Sequence, residues 1–282
     1  KDRLFFAVTY ERTRDVVPAA ISPGTLGITD AQISEIGTIA QNRFGFDTGG
    51  VATSIGEKDD KVVAKFDLNI ADGHRAAFTY MYNEGTVLAG QTGVGELNAT
   101  NPTFALLSNN YNQGAINHFG IFELNDQWSD NFSTQARVSY ADYVRLQVPF
   151  SDRGFGQFQT CLAPTSSAPP LTCPAGTRRL QFGPDISRQA NELASQSLNF
   201  EFTATLKMNN HTVKAIVERR TQDINNLFAQ RVSGAYYFDS IADLNGRTAN
   251  ELDIAVPLRG GIDTVRALFA NNSWSFGMQD TI

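Results

Sequence analysis

Hydrophobic and polar residues alternate along much of this chain. In KFDLNIADGHRAAFTYMYNEG (65–85), Phe66, Leu68 and Ile70 share one face, and Lys65, Asp67 and Asn69 share the other. Beyond Ala71-Asp72-Gly73, the residues Ala76, Phe78, Tyr80 and Tyr82 alternate with Arg75, Ala77, Thr79 and Met81. A period of two marks a strand with unlike faces, and Asp-Gly between two such runs marks a hairpin. Eight segments carry this pattern: 3–14, 60–70, 74–85, 114–125, 131–146, 195–207, 211–224 and 272–282. Their apolar members include Leu4, Phe6, Val8 and Tyr10 in the first, Phe200 and Phe202 in the sixth, and Trp274, Phe276 and Met278 in the last. The fourth is the least regular.

The connections alternate as well. Three are tight, at 71–73, 126–130 and 208–210, and four are long, at 15–59, 86–113, 147–194 and 225–271. Long irregular loops are uncommon in compact soluble domains. Strict interleaving of tight and long connections is the plan of an outer-membrane barrel, with short periplasmic turns and long extracellular loops. The turns near Asp72, Asp130 and Asn210 then face the periplasm. Periodicity alone does not say whether the apolar face meets a protein core or lipid. The length of the runs, and charges recurring mid-strand on the polar face (Lys65, Asp67, Arg75, Arg137, Glu201, Lys214, Glu218), favour lipid outside and a hydrated lumen inside. The expected fold is all-β: an antiparallel transmembrane barrel, represented here by about eight strands.

Composition narrows the function classes. The net charge of −6 leaves no basic surplus for nucleic acid. No apolar run is long enough for a transmembrane helix, which leaves strands as the means of crossing. The chain opens and stops inside strands, so residues 1–282 are expected to be part of one longer barrel domain.

Several stretches carry a family resemblance. KDRLFFAVTYERTR (1–14), DDKVVAKFDLNIADGHRAAFTYMYNEG (59–85), FGPDISRQANEL (182–193), NNHTVKAIVERRTQDINNLF (209–228), GAYYFDSIADLNG (234–246) and FGMQDTI (276–282) occur in an order that resembles TonB-dependent receptors of the Oar-like group. FGMQDTI resembles a strand of that family that usually reads on through Gln-Asp-Thr-Trp, and Ile282 stands where the aromatic would be. The resemblance implies a bacterial outer-membrane barrel of 22 strands around a plug. It implies lipid as a partner, TonB contacted through a plug not among these residues, and import of a scarce extracellular small molecule or peptide. It implies no cofactor, and no iron or haem ligand set is visible.

Candidate chemistry is sparse. Cys161 and Cys173 lie in one long, proline-rich loop in an oxidising setting, and a disulfide is expected between them. TDAQISEIGTIAQNRFG (29–45) predicts a helix with Thr29 as N-cap, Gln32 completing a capping box, and Ile33, Ile36 and Ala40 on one face. It serves either as a ligand-contacting lid or as the core of its own loop. A short second helix is expected over 238–245. His74 and His211 follow tight turns and His118 lies on another strand, without metal-ligand spacing. Gly90, Gly93 and Gly95 lack the flanking strand and helix of a nucleotide fingerprint. Tyr80, Tyr82, Tyr140 and Tyr143 are expected in an extracellular aromatic girdle, with Trp128 at a periplasmic turn. No nucleophile elbow or carboxylate pair stands out, so no catalytic residue is assigned and an enzyme is not expected. Two other readings stay open: a small autonomous eight-stranded barrel acting as pore or adhesin, and a soluble β-rich carbohydrate-binding or hydrolytic module.

Overall fold

The structure, a computed structural model, describes residues 3–90, 102–164 and 173–282. In chain order the strands are β1 (Leu4–Pro18), β2 (Ser54–Ala71), β3 (His74–Ala89), β4 (Thr103–Ala105), β5 (Tyr111–Ser129), β6 (Phe132–Pro149), β7 (Gln157–Cys161), β8 (Arg179–Phe182), β9 (Asn191–Met208), β10 (His211–Phe228), β11 (Ala235–Phe238), β12 (Glu251–Asp253) and β13 (Ala267–Thr281). The helices are α1 (Asp30–Phe44) and α2 (Ile241–Gly246). No helix among the described residues is long and apolar enough to cross a membrane.

Eight long strands form one antiparallel wall in the order β1-β2-β3-β5-β6-β9-β10-β13. Strands β1 and β13 are its two edges, so the sheet is open. An autonomous eight-stranded barrel would pair these two strands, and they do not pair. The tight turns pin the register. Ala71 faces His74 across the Asp72-Gly73 turn, where Gly73 takes φ 77°, a left-handed conformation that glycine adopts without cost.

This register gathers the predicted apolar positions onto one face. Phe6, Phe66, Phe78, Phe122, Val138, Phe200, Arg219 and Trp274 succeed one another along a single ladder row. Nothing covers that face: Phe66 and Phe78 are each 41% exposed and Phe122 is 42% exposed. The opposite face is polar: Gln147 and Thr203 are only 5% exposed, while the Lys65, Arg75 and Arg137 side chains are 48%, 54% and 44% exposed. A soluble sheet would cover its apolar face with a second layer. An uncovered apolar face backed by a polar one is the order of a barrel wall in lipid.

The apolar band also slants across the ladder rows. On β2 it runs from Val62 to Ile70, centred on Phe66; on β10 it covers Val213, Ala215 and Val217, and the row of Phe66 has reached Arg219. Four residues at about 3.3 Å each, over five strand spacings of about 4.8 Å, correspond to a tilt of roughly 30°. Strands must tilt to close a barrel, so a band of constant depth has to drift in this way.

All four long connections lie at the same end and fold together into a cap. Its five-stranded sheet runs β12-β11-β7-β8-β4, with β11·β7 and β4·β8 parallel. Among the described residues, the hydrophobic core of globular type is here. Ile36 and Ala40 of α1, Phe104 and Leu106 before β5, Phe158 and Leu180 of β7 and β8, and Phe238 and Leu244 after β10 are all buried in it. Every long connection contributes and no wall strand does. Phe155 stacks on Phe46 and on Phe158 at centroid distances of 3.9 and 4.9 Å. Helix α1 forms as its local sequence dictates, with the Thr29–Gln32 capping box made reciprocally and Gly45 closing the helix in the left-handed region. Because Ile36, Ile39 and Ala40 point into the core, α1 serves the loops' own packing.

Two boundaries differ from the sequence reading. The wall strands run three to six residues further toward the cap than alternation predicts, as in β2, which begins at Ser54 rather than residue 60. Glu57, Lys58 and Asp59 are polar on both faces, so the period vanishes while the ladder to β1 continues through Lys58 and Glu57. The second helix begins at Ile241 behind the N-cap Ser240, because Phe238 is taken up by β11 and the cap core.

Candidate functional site

The inner face of the wall is mainly polar, interrupted by apolar residues such as Phe119 and Ile121. Asp67, Ala77, Glu123, Arg137, Glu201 and Glu218 share one inner row. Opposite charges pair along and across strands: Arg75 with Asp67 at 2.5 Å, Lys65 with Asp67 at 3.5 Å, and Arg137 with Glu123 at 3.3 Å. The seven charged residues predicted to line a lumen all project from this face. At the tight-turn end the inner face encloses a groove of about 1040 Å³ whose walls include Asn69, Arg75, Asn125, Gln135, Thr203 and Lys214.

At the other end the segment 183–190 joins wall to cap. Arg188 stacks its guanidinium on Tyr111 at 4.2 Å and bonds to Gln147, both on the inner face. Two residues back, the Ile186 N–H donates to Gln157 of the cap sheet at 3.1 Å. The polar face of the cap therefore adjoins the polar face of the wall through this segment. Gly183 at its start takes φ 81°, and a Cβ there would lie 2.1 Å from the Gly156 carbonyl oxygen, so no larger residue fits.

The two faces of the cap sheet differ as sharply as those of the wall. Phe158, Leu180 and Phe238 point into the aromatic core. Gln159, Arg179, Gln181 and Tyr237 point the other way and form a connected network. Gln181 donates to Asn109 at 2.7 Å, Gln159 donates to Gln181 at 3.3 Å, Arg179 donates to Gln159 at 3.0 Å, and the Arg179 guanidinium lies 5.0 Å over the Tyr237 ring. Burial, and then a hydrogen bond to Asp239, push the Tyr237 phenol well above the ordinary tyrosine range. A cavity of about 510 Å³ opens on this face between β7, β8, β11 and β12. Arg231 at its edge holds a left-handed backbone at φ 63° and pairs with Asp253 at 2.8 Å. The structure joins Cys161 and Cys173 in a disulfide, with Cα atoms 5.8 Å apart, and Cys173 lines the cavity. The bond ties the end of β7 to the segment leading into β8.

The remaining singled-out residues have plain places. His74 bonds to Asp126 at 2.7 Å with its ring edge-on to Trp128, and His211 bonds to Asp280 at 2.7 Å. Both pairs sit at the tight-turn rim. His118 bonds to the Tyr80 hydroxyl at 2.8 Å. No cluster of potential metal ligands occurs among the described residues. Tyr80, Tyr82 and Tyr140 lie on the outer face toward the cap end, where Tyr10 and Trp274 extend the belt along the slanted upper edge of the apolar band. Tyr143 does not belong with them: it stands an odd number of residues from Tyr140 and faces inward, opposite Asn117 and Ser195. Gly93 and Gly95 lie outside the described residues, as do Pro169 and Pro170. Sequence reasoning missed Glu123 on the inner row, because Phe119 and Ile121 also face inward and blur the alternation of β5. It also missed the Gln159–Arg179–Tyr237 face. Its only local signal is the alternation in Gln157–Cys161, which is too short to count.

No family model matches the chain, and no curated protein matches it in sequence. Two solved structures resemble it. The outer membrane transporter YddB from Escherichia coli superposes with a TM-score of 0.51 at 10% identity, over 99% of this chain and 30% of that one. The Ferric-Catecholate import receptor Fiu from E. coli K12, in its open form, gives a TM-score of 0.38 at 9% identity, over 99% of this chain and 41% of that one. The chain thus spans well under half the length of either. What the likeness to YddB establishes is the fold: an open, eight-stranded antiparallel sheet that superposes on part of that protein.

Proposed function

We propose that the chain is part of a TonB-dependent outer-membrane receptor of the Oar-like group that imports a scarce extracellular substrate. The observation that carries this reading is the uncovered apolar face of the wall: no layer packs on it, the charged and amide side chains stand on the opposite face, and the globular core lies in a cap built from all four long connections. In this reading the eight strands belong to a barrel of 22, and lipid surrounds the outer face. Substrate meets the cap first and then the polar wall, and a plug outside the described residues couples import to TonB. The role is transport rather than catalysis.

Two measurements test it. Outer-membrane fractions are run on denaturing gels with and without boiling, and uptake-dependent growth is compared with and without TonB. A heat-modifiable outer-membrane band several times the 30.9 kDa of this chain, with TonB-dependent uptake, is the expected result. A band near that mass would favour the small barrel instead, and a water-soluble product would defeat both readings.

A further inference from the structure

We propose that the cavity in the loop cap, between β7, β8, β11 and β12, binds a neutral, hydroxyl-rich ligand: a short oligosaccharide. The inference rests on the transport reading only in naming a class of cargo for it.

Size and shape come first. About 510 Å³ falls in the range of small-molecule sites, and the cavity lies in the folded cap rather than on the lipid face. Charge comes next. Its wall mixes Arg179 and Arg231 with Asp239, Glu251 and Asp253, so an anion would approach carboxylates and a cation would approach guanidiniums. Most of these charges are already compensated within the wall. Arg231 is paired with Asp253 at 2.8 Å, Arg179 is held between Gln159 and the Tyr237 ring, and Asp239 accepts from the Tyr237 hydroxyl. What remains is one excess carboxylate among a set of planar polar edges that donate and accept.

A sugar ring presents the matching surface. Adjacent hydroxyls each donate and accept, and amide, carboxylate and guanidinium groups engage them in pairs. Gln157 and Gln159 supply amides beside the two arginines, and Glu251, opposite Tyr237 in the β11–β12 ladder, adds an acceptor at the rim. The site is also pre-formed: the disulfide at Cys173, the strands that back it and the aromatic core behind it fix the wall before any ligand arrives, which lowers the ordering cost of binding.

The test uses the gene product extracted from outer membranes in a detergent without a sugar headgroup. Cellotriose, xylotriose, maltotriose and tri-N-acetylchitotriose are titrated against it by calorimetry and saturation-transfer NMR, with trilysine and triglutamate as charged probes of similar size. At least one trisaccharide is expected to bind with Kd below about 1 mM, tighter than either peptide. Glu251→Ala and Arg231→Ala are each expected to weaken it about tenfold, the worth of one charge-assisted hydrogen bond, while the heat-modifiable band persists. The proposal is overturned if no trisaccharide binds at about 10 mM, if trilysine or triglutamate binds more tightly, or if both substitutions leave binding unchanged in folded protein. The panel on the unsubstituted protein needs no variant, so loss of folding in either one leaves a decisive comparison. Failure here does not touch the fractionation and uptake results, which stand or fall separately.

Discussion

Replacing Phe122 with arginine probes whether the exposed apolar face meets lipid. Phe122 sits mid-band on the outer face, between Phe78 and Val138, and is 42% exposed. If water bathed this face, an arginine at so open a position would cost little, since exposed substitutions fall within about 0.5 kcal/mol. In lipid, an arginine at the bilayer midplane costs about 2–4 kcal/mol, and only about 0–1 near the interface. The first figure corresponds to roughly a 30- to 1,000-fold drop in the folded population. With a urea slope near 2 kcal/mol/M, it moves the midpoint down by about 1–2 M. Tyr10→Arg, at the upper edge of the band, should cost less than about 1 kcal/mol beyond the loss of its own contacts. Ser197→Arg, on the inner face between Ala141 and Gln222, should be nearly neutral. The assay is reversible urea unfolding of the protein inserted in lipid vesicles, followed by tryptophan fluorescence. The signature is depth dependence: Phe122 well above Tyr10, and Tyr10 close to Ser197. Equal costs at all three positions, or a negligible cost at Phe122, would refute the assignment of faces.

Four further outcomes are expected. Ile36→Ala removes a fully buried side chain from the cap core and should cost about 2–5 kcal/mol of cap stability, read as faster proteolysis within 19–53 while the wall strands stay protected. Gly183→Ala places a methyl group against the Gly156 carbonyl at a left-handed backbone; the cap should detach from the rim, seen as new cleavage near 183–190. The Tyr237 phenol has a raised pKa, so its contribution is complete below the ordinary tyrosine pKa and is lost only as pH climbs through the higher folded value. In alkaline titration at 295 nm, Tyr237→Phe should therefore delete the late part of the curve and leave the early part unchanged. The isolated chain carries two unpaired edges, β1 and β13, and should sediment on refolding without detergent, in line with the hazard of open strand edges; a monodisperse soluble monomer would contradict this.

The wall was legible in the sequence because its signal is local. Period-two alternation assigns each residue a face, and three tight turns fix three pairings, so the row through Phe66, Phe78 and Phe122 follows once neighbours stack like on like. Helix α1 was legible for the same reason: Thr29, Gln32 and Gly45 write both of its ends within the segment itself. The sheet of the cap was not. Strands β4, β7, β8, β11 and β12 have three to five residues each, and two of their pairings are parallel between distant segments. Neither periodicity nor turn chemistry can announce such contacts. Tyr143 is a different case, since its odd spacing from Tyr140 already placed it on the opposite face.

Wall and cap are stabilised by different surroundings, and this explains how one chain carries both. The wall keeps its backbone paired strand to strand and leaves its apolar side chains outside, so in the proposed membrane setting its driving force comes from lipid and it needs no core between layers. The cap has no lipid to rely on. It must gather apolar area from four separate connections, and it does so with Ile36, Phe104, Phe158, Leu180, Phe182, Phe238 and Leu244. Closing the short Cys161–Cys173 loop adds about 2–4 kcal/mol by restricting the unfolded chain. That contribution is confined to the cap, since no wall strand contributes to the cap core. Reduction, or the paired Cys161→Ser and Cys173→Ser substitutions, should therefore loosen the cap cavity and its proteolytic protection while leaving the heat-modifiable band of the wall in place. If the band were lost together with the cap, the two units would share one folding transition, and the division of the chain between two solvents would be wrong.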